Sequence, residues 1–106
     1  MAQIIWTEPA LDDLNDIAEY IALSNLQAAK RLVQSVFDKV SRLEQYPESG
    51  RVPAELQGLN YREVVVPPCR IFYRVQEEQV LVLHIMRQEQ DLKKFMLRLV
   101  SESPEG

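Results

Sequence analysis

The chain of 106 residues has few of the side chains on which metal and thiol chemistry depend. It contains one cysteine, Cys69, and one histidine, His84. A single cysteine allows no internal disulfide, and one cysteine with one histidine falls short of the four ligands of a structural zinc site. Cys69 has no histidine or helix N-terminus beside it in the sequence, so we expect an inert thiol. We expect no metal and no cofactor.

Long apolar runs are also missing. No stretch approaches the roughly 18 residues that span a bilayer, and the first six residues lack the basic and apolar segments of a secretion signal. The length, with 46% hydrophobic and 26% charged residues, fits one globular domain. We therefore expect a soluble cytoplasmic protein without membrane contact, with a single domain over 1–100 and a flexible tail over 101–106.

Positive charge is scarce in this chain. Its 16 acidic and 12 basic residues give a net charge of −4. This charge opposes non-specific attraction to phosphate backbones, so any nucleic-acid activity needs a local basic patch. The serine-nucleophile elbow, the phosphate-binding glycine loop and the HExxH zinc motif are absent from the sequence. We expect no direct sequence-specific binding of nucleic acid.

Apolar spacing in the first half predicts two helices. Apolar residues three and four positions apart predict a helix over 8–22, with Thr7 as its N-cap. A second helix is predicted to begin at Ser24, where Gln27 completes a capping box, and to end at Tyr46-Pro47. Because only one or two residues separate the helices, they should fold back on each other as a hairpin.

The second half changes to the pattern of strands. Short links at Pro67-Pro68 and Glu77-Glu78 predict an antiparallel meander. With a first strand and a final helix, the order βααβββα predicts an α+β domain in which the helical hairpin packs on a small sheet. The strands are expected at 2–6, 64–66, 71–75 and 80–85, and the final helix at 88–100.

Arginines recur along these strands. Alternation places Arg70 and Arg74 on the face of Phe72, opposite the apolar face that should join the core. Arg62 and Arg87 lie at strand ends, where a meander could bring them near Arg70. The candidate residues for binding a target or an anion are Arg51, Arg62, Arg70, Arg74 and Arg87. The alternative is surface salt bridges with Glu63, Glu77, Glu78 and Glu89, each of which stabilises little.

The face occupied by His84 depends on the preceding turn. With a two-residue loop at Glu77-Glu78, His84 lies opposite Ile71 and faces the core side. With a loop one residue longer, it lies opposite Phe72 and faces the arginines. On either face a neutral, hydrogen-bonded histidine is favoured over general acid–base catalysis.

The chain also resembles one family over residues 3–92. The resemblance is to the ParE/RelE superfamily of bacterial toxins, and it implies a RelE/ParE-like fold with a mainly antiparallel sheet and the role of toxin in a type II toxin–antitoxin system. It is carried by Trp6-Thr7, Asp13-Leu14, Ile17, Tyr20-Ile21, Leu43, Pro47, Gly50-Arg51, Leu56, Tyr61-Arg62, Arg70-Ile71, Tyr73-Arg74-Val75 and Leu81 to Ile85.

Two activities occur in that superfamily. ParE-like members inhibit DNA gyrase by protein contact, whereas RelE-like members cleave messenger RNA in the ribosomal A site. The lysines of a RelE-like strand are here reduced to Arg62, and residues 88–93 offer no tyrosine where one is expected. The resemblance therefore favours a gyrase inhibitor that is not an enzyme. If the protein is an enzyme, we expect an endoribonuclease that uses Arg62, Arg70 and Arg87.

The resemblance also implies partners. We expect a ParD-like antitoxin, a toxin–antitoxin hetero-oligomer and DNA gyrase as target. The antitoxin tail should cover apolar residues such as Met86, Leu97 or Val100 where these are exposed. Many ParE-like members carry a histidine and two arginines after the last strand. Here those positions correspond to Arg87, Glu89 and Gln90. This departure leaves open a third hypothesis, a non-toxic module that only binds its antitoxin.

Overall fold

A computed structural model describes residues 1–90, 92 and 94, and in this part of the chain two helices pack on a four-stranded sheet. The sheet order is β1-β4-β3-β2, with β1 parallel to β4 and the other pairs antiparallel. The predicted α+β fold with a mainly antiparallel sheet is confirmed. The elements are β1 (Gln3–Trp6), α1 (Glu8–Ala22), α2 (Leu26–Ser41), β2 (Arg62–Val66), β3 (Cys69–Gln76) and β4 (Gln79–Arg87).

The final helix predicted over 88–100 and the tail over 101–106 lie mostly outside the described residues. Residues 88–90 form a turn rather than the start of a helix, whereas Leu92 and Lys94 are helical as predicted, and Leu92 is buried. The single domain over 1–100 stays a prediction. No helix in the described part of the chain is both long enough and apolar enough to cross a membrane.

Thr7 caps α1, as the sequence predicts. Its hydroxyl oxygen accepts a hydrogen bond from the Ala10 backbone N–H at 3.4 Å, which satisfies one of the unpaired donors of the first turn. The same hydroxyl donates to the Val82 carbonyl at 2.6 Å. One side chain therefore fixes both the start of α1 and its position against β4.

The predicted N-cap of α2, Ser24, is wrong by one residue. The Ser24 backbone N–H donates to the Ile21 carbonyl at 3.1 Å, and the Ser24 hydroxyl also donates to that carbonyl at 3.4 Å. Ser24 therefore completes the end of α1, and the side chain of Asn25 caps α2 by accepting from the Ala28 N–H at 3.0 Å.

The end of α2 also differs from the prediction. The α-helical hydrogen bonding stops at Ser41, and one tighter 3-10 turn over Arg42–Glu44 continues it, which is common at helix ends. The chain then reaches Tyr46-Pro47 outside the helix.

The helical hairpin covers one face of the sheet and encloses the main core. On this face the rings of Trp6 and Phe37 lie 4.7 Å apart between centroids. The opposite face carries a smaller apolar cluster in which Phe72 and Met86 are buried. Met86 therefore does not meet the condition of exposure for contact with an antitoxin tail, while Leu97 and Val100 lie outside the described residues. The main core includes Ala10, Leu14, Leu32, Val36, Val40, Leu43, Val64, Ile71, Tyr73, Val80, Val82 and Ile85.

An irregularity in β4 decides the position of His84. The turn between β3 and β4 is the two-residue link Glu77-Glu78, because Gln76 pairs with Gln79. A register shift between Phe72 and Tyr73 nevertheless places His84 opposite Phe72. Neither predicted alternative is therefore correct: the loop is the short one, and one extra residue in β4 changes the pairing beyond it, as in a β-bulge.

Candidate functional site

The segment 47–56 is held against the β2–β3 hairpin by the hydroxyl of Tyr73. This oxygen accepts from the Gly50 backbone N–H at 2.8 Å and donates to the Pro47 carbonyl at 2.8 Å. Burial raises the pKa of Tyr73 above its ordinary value. With both hydrogen bonds made inside the protein, Tyr73 holds the segment in place and is poorly suited to act as a base.

Backbone pairing extends this attachment. Arg51 and Glu63 exchange two hydrogen bonds, Arg51 N–H to Glu63 carbonyl at 3.0 Å and Glu63 N–H to Arg51 carbonyl at 2.8 Å. The Arg62 guanidinium donates to the carbonyls of Gly50 at 2.8 Å and Glu48 at 3.1 Å. Arg62 therefore binds the protein's own backbone.

The carboxylate of Glu63 joins two of the predicted site residues. Its side chain is only 2% exposed. It accepts from Arg70 Nε at 2.7 Å and Nη2 at 3.1 Å, and from Arg51 Nε at 3.1 Å. A buried carboxylate is tolerated because charged donors bind both of its oxygens.

Arg70 binds a second carboxylate, that of Glu55. Nη1 and Nη2 of Arg70 each lie 3.0 Å from one Glu55 oxygen, which is a bidentate pair. The guanidinium also stacks 5.1 Å from the centroid of the Phe72 ring. Hydrogen bonding from Arg70 lowers the pKa of Glu55 to about 2, and the two carboxylates raise the pKa of Arg70.

These four side chains, Arg51, Arg70, Glu55 and Glu63, surround an open cavity of about 410 Å³, here called the arginine pocket. Gln88, just after β4, also lines it. Two guanidinium groups and two carboxylates cancel, so the pocket carries no net charge as folded. A phosphate that enters it must compete with carboxylates already bound to Arg70.

The remaining predicted arginines have other partners. Arg74 donates from Nε to the Asn60 carbonyl at 3.0 Å and lies over the Tyr61 ring. Arg87 lies 3.1 Å from Glu89 and over the exposed ring of Tyr20. Among residues 1–90, only Arg51 and Arg70 of the five candidates bind the same side chain. Arg62 and Arg87, which a meander could have brought near Arg70, bind other groups instead. Glu63 and Glu89 do form salt bridges of the alternative interpretation.

The groups that could transfer protons are engaged as well. His84 Nδ1 lies 3.4 Å from an Asp13 oxygen, and that oxygen also accepts from the Ile85 backbone N–H at 3.0 Å. Cys69 is fully buried, and burial raises its thiol pKa to about 11, which agrees with an inert thiol. Within residues 1–90, 92 and 94, no three histidine, cysteine or carboxylate side chains cluster as metal ligands.

Sequence reasoning missed Glu55 entirely. It lies in a connection without hydrophobic period, on the short 3-10 turn Ala54–Leu56, so no pattern indicates its partner. Glu63 could have been placed on the face of Arg70. If Pro67-Pro68 is a two-residue link, Glu63 must lie opposite Phe72, as the structure shows.

We predict that the Glu55–Arg70 pair contributes to the free energy of unfolding and that acid removes this contribution. The pKa of Glu55 is about 2 when folded against an ordinary value of 4.5, so this contribution is complete above pH 4.5 and declines as the pH falls towards 2. Because a third of the Glu55 side chain is exposed, we expect a change of only about 1 kcal/mol. Urea unfolding at pH 5.5 and 2.5 measures it. Glu55→Gln should reduce the difference between the two pH values, and an unchanged difference would contradict the assignment.

A second surface feature lies on the helical hairpin. A groove of about 350 Å³ runs between α1 and α2, with small apolar side chains at its base. Leu26 borders the groove and is 55% exposed, so it extends the apolar surface of the groove. This surface, the hairpin groove, is lined by Ala18, Glu19, Ala22, Leu26, Ala29, Lys30, Val33 and Gln34.

The fold and the sequence both match known toxins. Residues 4–92 match the family described as "ParE toxin of type II toxin-antitoxin system, parDE". The chain is 40% identical over 86 residues to "Toxin RelE2" of Caulobacter vibrioides, an alignment that covers 80% of this chain and 93% of that protein.

Two solved structures are similar in fold. A chain of the "Chromosomal ParDE TA system from P. aeruginosa" matches with a TM-score of 0.69 and 26% identity, over 82% of this chain and 96% of that one. A chain of the toxin–antitoxin complex RelBE2 from Mycobacterium tuberculosis matches with a TM-score of 0.54 and 17% identity, over 81% and 96% of the respective chains.

A helical hairpin packed on a β1-β4-β3-β2 sheet is therefore, in this chain, the fold of a small toxin from a type II toxin–antitoxin system. Within that class the chain belongs to the ParE toxin family of the ParE/RelE superfamily.

Proposed function

We propose that this toxin inhibits DNA gyrase by protein contact and that a ParD-like antitoxin neutralises it. The observation that carries the proposal is the engagement of Arg70 by Glu55 and Glu63. A ribonuclease uses unpaired cationic side chains to stabilise the charge that develops on the scissile phosphate. In this chain two carboxylates already bind the guanidinium of Arg70. The match to the ParE family over residues 4–92 supports the same choice.

The described residues are also poorly suited to the proton transfer that a ribonuclease requires. A general base must reach the 2′-hydroxyl with a lone pair that is available. Tyr73 is buried with both hydrogen bonds made, and His84 lies against Asp13. The described side chains are better suited to binding another macromolecule than to breaking a bond.

Purified toxin should block negative supercoiling by gyrase and leave relaxation by topoisomerase I intact. Expression of the toxin alone should stop growth and induce the DNA-damage response, while translated messages stay uncut in primer-extension assays. Normal supercoiling together with cleaved messages would assign the protein to the ribosome-dependent nucleases. Normal supercoiling, uncut messages and normal growth would select the non-toxic antitoxin-binding module.

The hairpin groove is the surface we propose for the antitoxin. Its base is apolar and its exposed Leu26 lies at the start of α2, where an amphipathic helix of a partner could bury both. The rim carries one carboxylate, Glu19, and one ammonium, Lys30, which can fix the orientation of a charged helix.

Leu26→Asp should therefore abolish neutralisation of the toxin by co-expressed antitoxin while growth arrest by the toxin alone persists. An aspartate at the first position of a helix does not disturb folding, because it complements the helix dipole. The matched control is Leu59→Asp, since Leu59 is also exposed (57% against 55%) but lies outside the groove. Equal neutralisation of both variants in a growth-rescue assay would exclude the groove.

A further inference from the structure

Arg51 holds an open set of donors at the arginine pocket. Its side chain is 69% exposed and contacts Glu63 through Nε alone. Within residues 1–90 the amino groups Nη1 and Nη2 of Arg51 make no hydrogen bond to the protein. Arg51 lines the same cavity as the Arg70–Glu55 pair. The buried carboxylate of Glu63 holds both arginines of this site through their Nε atoms.

The charge of the pocket depends on Glu55. Arg51 and Arg70 with Glu63 sum to one positive charge, and Glu55 brings the sum to zero. Glu63 is buried and bound by both arginines, whereas Glu55 is 33% exposed and of the two arginines only Arg70 binds it. The Glu55 carboxylate also accepts from its own backbone N–H. Its turn contains three residues, Ala54–Leu56. Of the two carboxylates, Glu55 is the one that another anion can replace without exposing the core.

We propose that the arginine pocket binds a carboxylate side chain of the antitoxin, which takes the place that Glu55 occupies in the free toxin. This inference rests on the proposed function in so far as the partner is an antitoxin. The position of Glu55 shows that a planar carboxylate fits Nη1 and Nη2 of Arg70, both at 3.0 Å. A released Glu55 regains water, and Arg51, which lines the same cavity, offers the incoming carboxylate further donors.

Charge favours a carboxylate over a phosphate. One negative charge restores neutrality once Glu55 leaves, whereas a phosphate dianion leaves the pocket with an excess negative charge next to Glu63. The net charge of −4 of the whole chain also opposes a polyanion more strongly than one acidic side chain. The site therefore fits an aspartate or glutamate of a protein partner.

The test uses N-acetylglutamate amide as the probe and follows the Arg Nε–H signals of the purified toxin by NMR. Saturable shifts are expected at Arg51 and Arg70. Glu55→Gln removes the competing charge and should bind the probe about fivefold more tightly than the wild type, because one partly exposed ion pair no longer competes. The matched control is Glu78→Gln, which makes the same change in net charge at the exposed β3–β4 turn and should leave the affinity unchanged.

A second part of the experiment tests the arginines. Arg51→Gln should weaken probe binding at least threefold. Its control is Arg31→Gln on the exposed side of α2, which should bind like the wild type. Equal affinities of the Glu55 and Glu78 variants would overturn the displacement of Glu55. Tighter binding of inorganic phosphate than of the probe by the Glu55 variant would overturn the assignment to a carboxylate.

The antitoxin complex provides the last arm. Toxin bound to its antitoxin should not bind the probe, because the pocket is filled, and binding as tight as that of the free toxin would overturn the antitoxin as ligand. None of these measurements uses gyrase. A toxin that fails to inhibit supercoiling but shows the expected probe affinities would refute the proposed target and leave this inference standing.

Discussion

Glu63→Ala is expected to lower the free energy of unfolding by about 3–5 kcal/mol, the usual cost of removing one partner from a buried ion pair. Arg70 is only 11% exposed, so loss of Glu63 leaves its Nε without an acceptor in a poorly hydrated site. Arg51 loses its side-chain partner at the same time. Urea unfolding followed by the fluorescence of Trp6, the only tryptophan, gives the free energy.

Two further variants test whether the loss comes from the buried ion pairs of Glu63. Glu63→Gln keeps two polar atoms and should lose less stability than the alanine variant. Glu89→Ala breaks an ion pair of similar length, 3.1 Å, whose partners are 36% and 63% exposed. Its expected loss is below about 1 kcal/mol, as for exposed pairs in general. A loss from Glu63→Ala as small as that from Glu89→Ala would show that Glu63 does not hold the arginines together.

Gly50→Ala is the second large effect, with an expected loss of about 3 kcal/mol in the free energy of unfolding, from overpacking and from a broken buried hydrogen bond. A β-carbon at this position would collide with the Tyr73 hydroxyl and would lie 2.7 Å from the Glu63 carbonyl oxygen and from a Tyr73 ring carbon. Relief requires movement of the hydroxyl that binds Gly50 and Pro47. Thermal or urea unfolding measures the loss.

Gly58→Ala is the matched comparison, because the two glycines differ in the reason for their presence. A β-carbon at Gly58 has no atom within 4 Å, but the residue has φ +85°. That conformation costs an alanine about 1 kcal/mol. Equal losses for the two variants would mean that the space around Gly50 relaxes freely and that the Tyr73 contact contributes little.

Much of the sheet could be predicted from the sequence because its turns are short. Pro67-Pro68 and Glu77-Glu78 are the two-residue links expected, and alternation correctly places Arg70 and Phe72 on one face. The extra residue in β4 could not be predicted, because no residue pattern between Val80 and Ile85 indicates a register shift. As a result, His84 pairs with Phe72, whereas the short loop alone predicts pairing with Ile71.

The pocket is less predictable than the sheet for a physical reason. Arg70 can be placed by its position in a strand, whereas its partner Glu55 comes from an irregular connection whose path depends on contacts made after folding. Ser24 and Asn25 show the same limit at short range. Both are good N-cap residues, and the choice between them follows from hydrogen bonds of Ser24 to the end of the preceding helix.

The parallel pairing of β1 with β4 has a consequence for the synthesis of the toxin. Gln3 pairs with Gln79 and Trp6 with Val82. β1, which leaves the ribosome first, therefore cannot pair until β4 has been synthesised. Contacts between such distant segments form late in folding. An incomplete nascent chain therefore lacks the four-stranded sheet, and the fold is completed only after β4 has emerged.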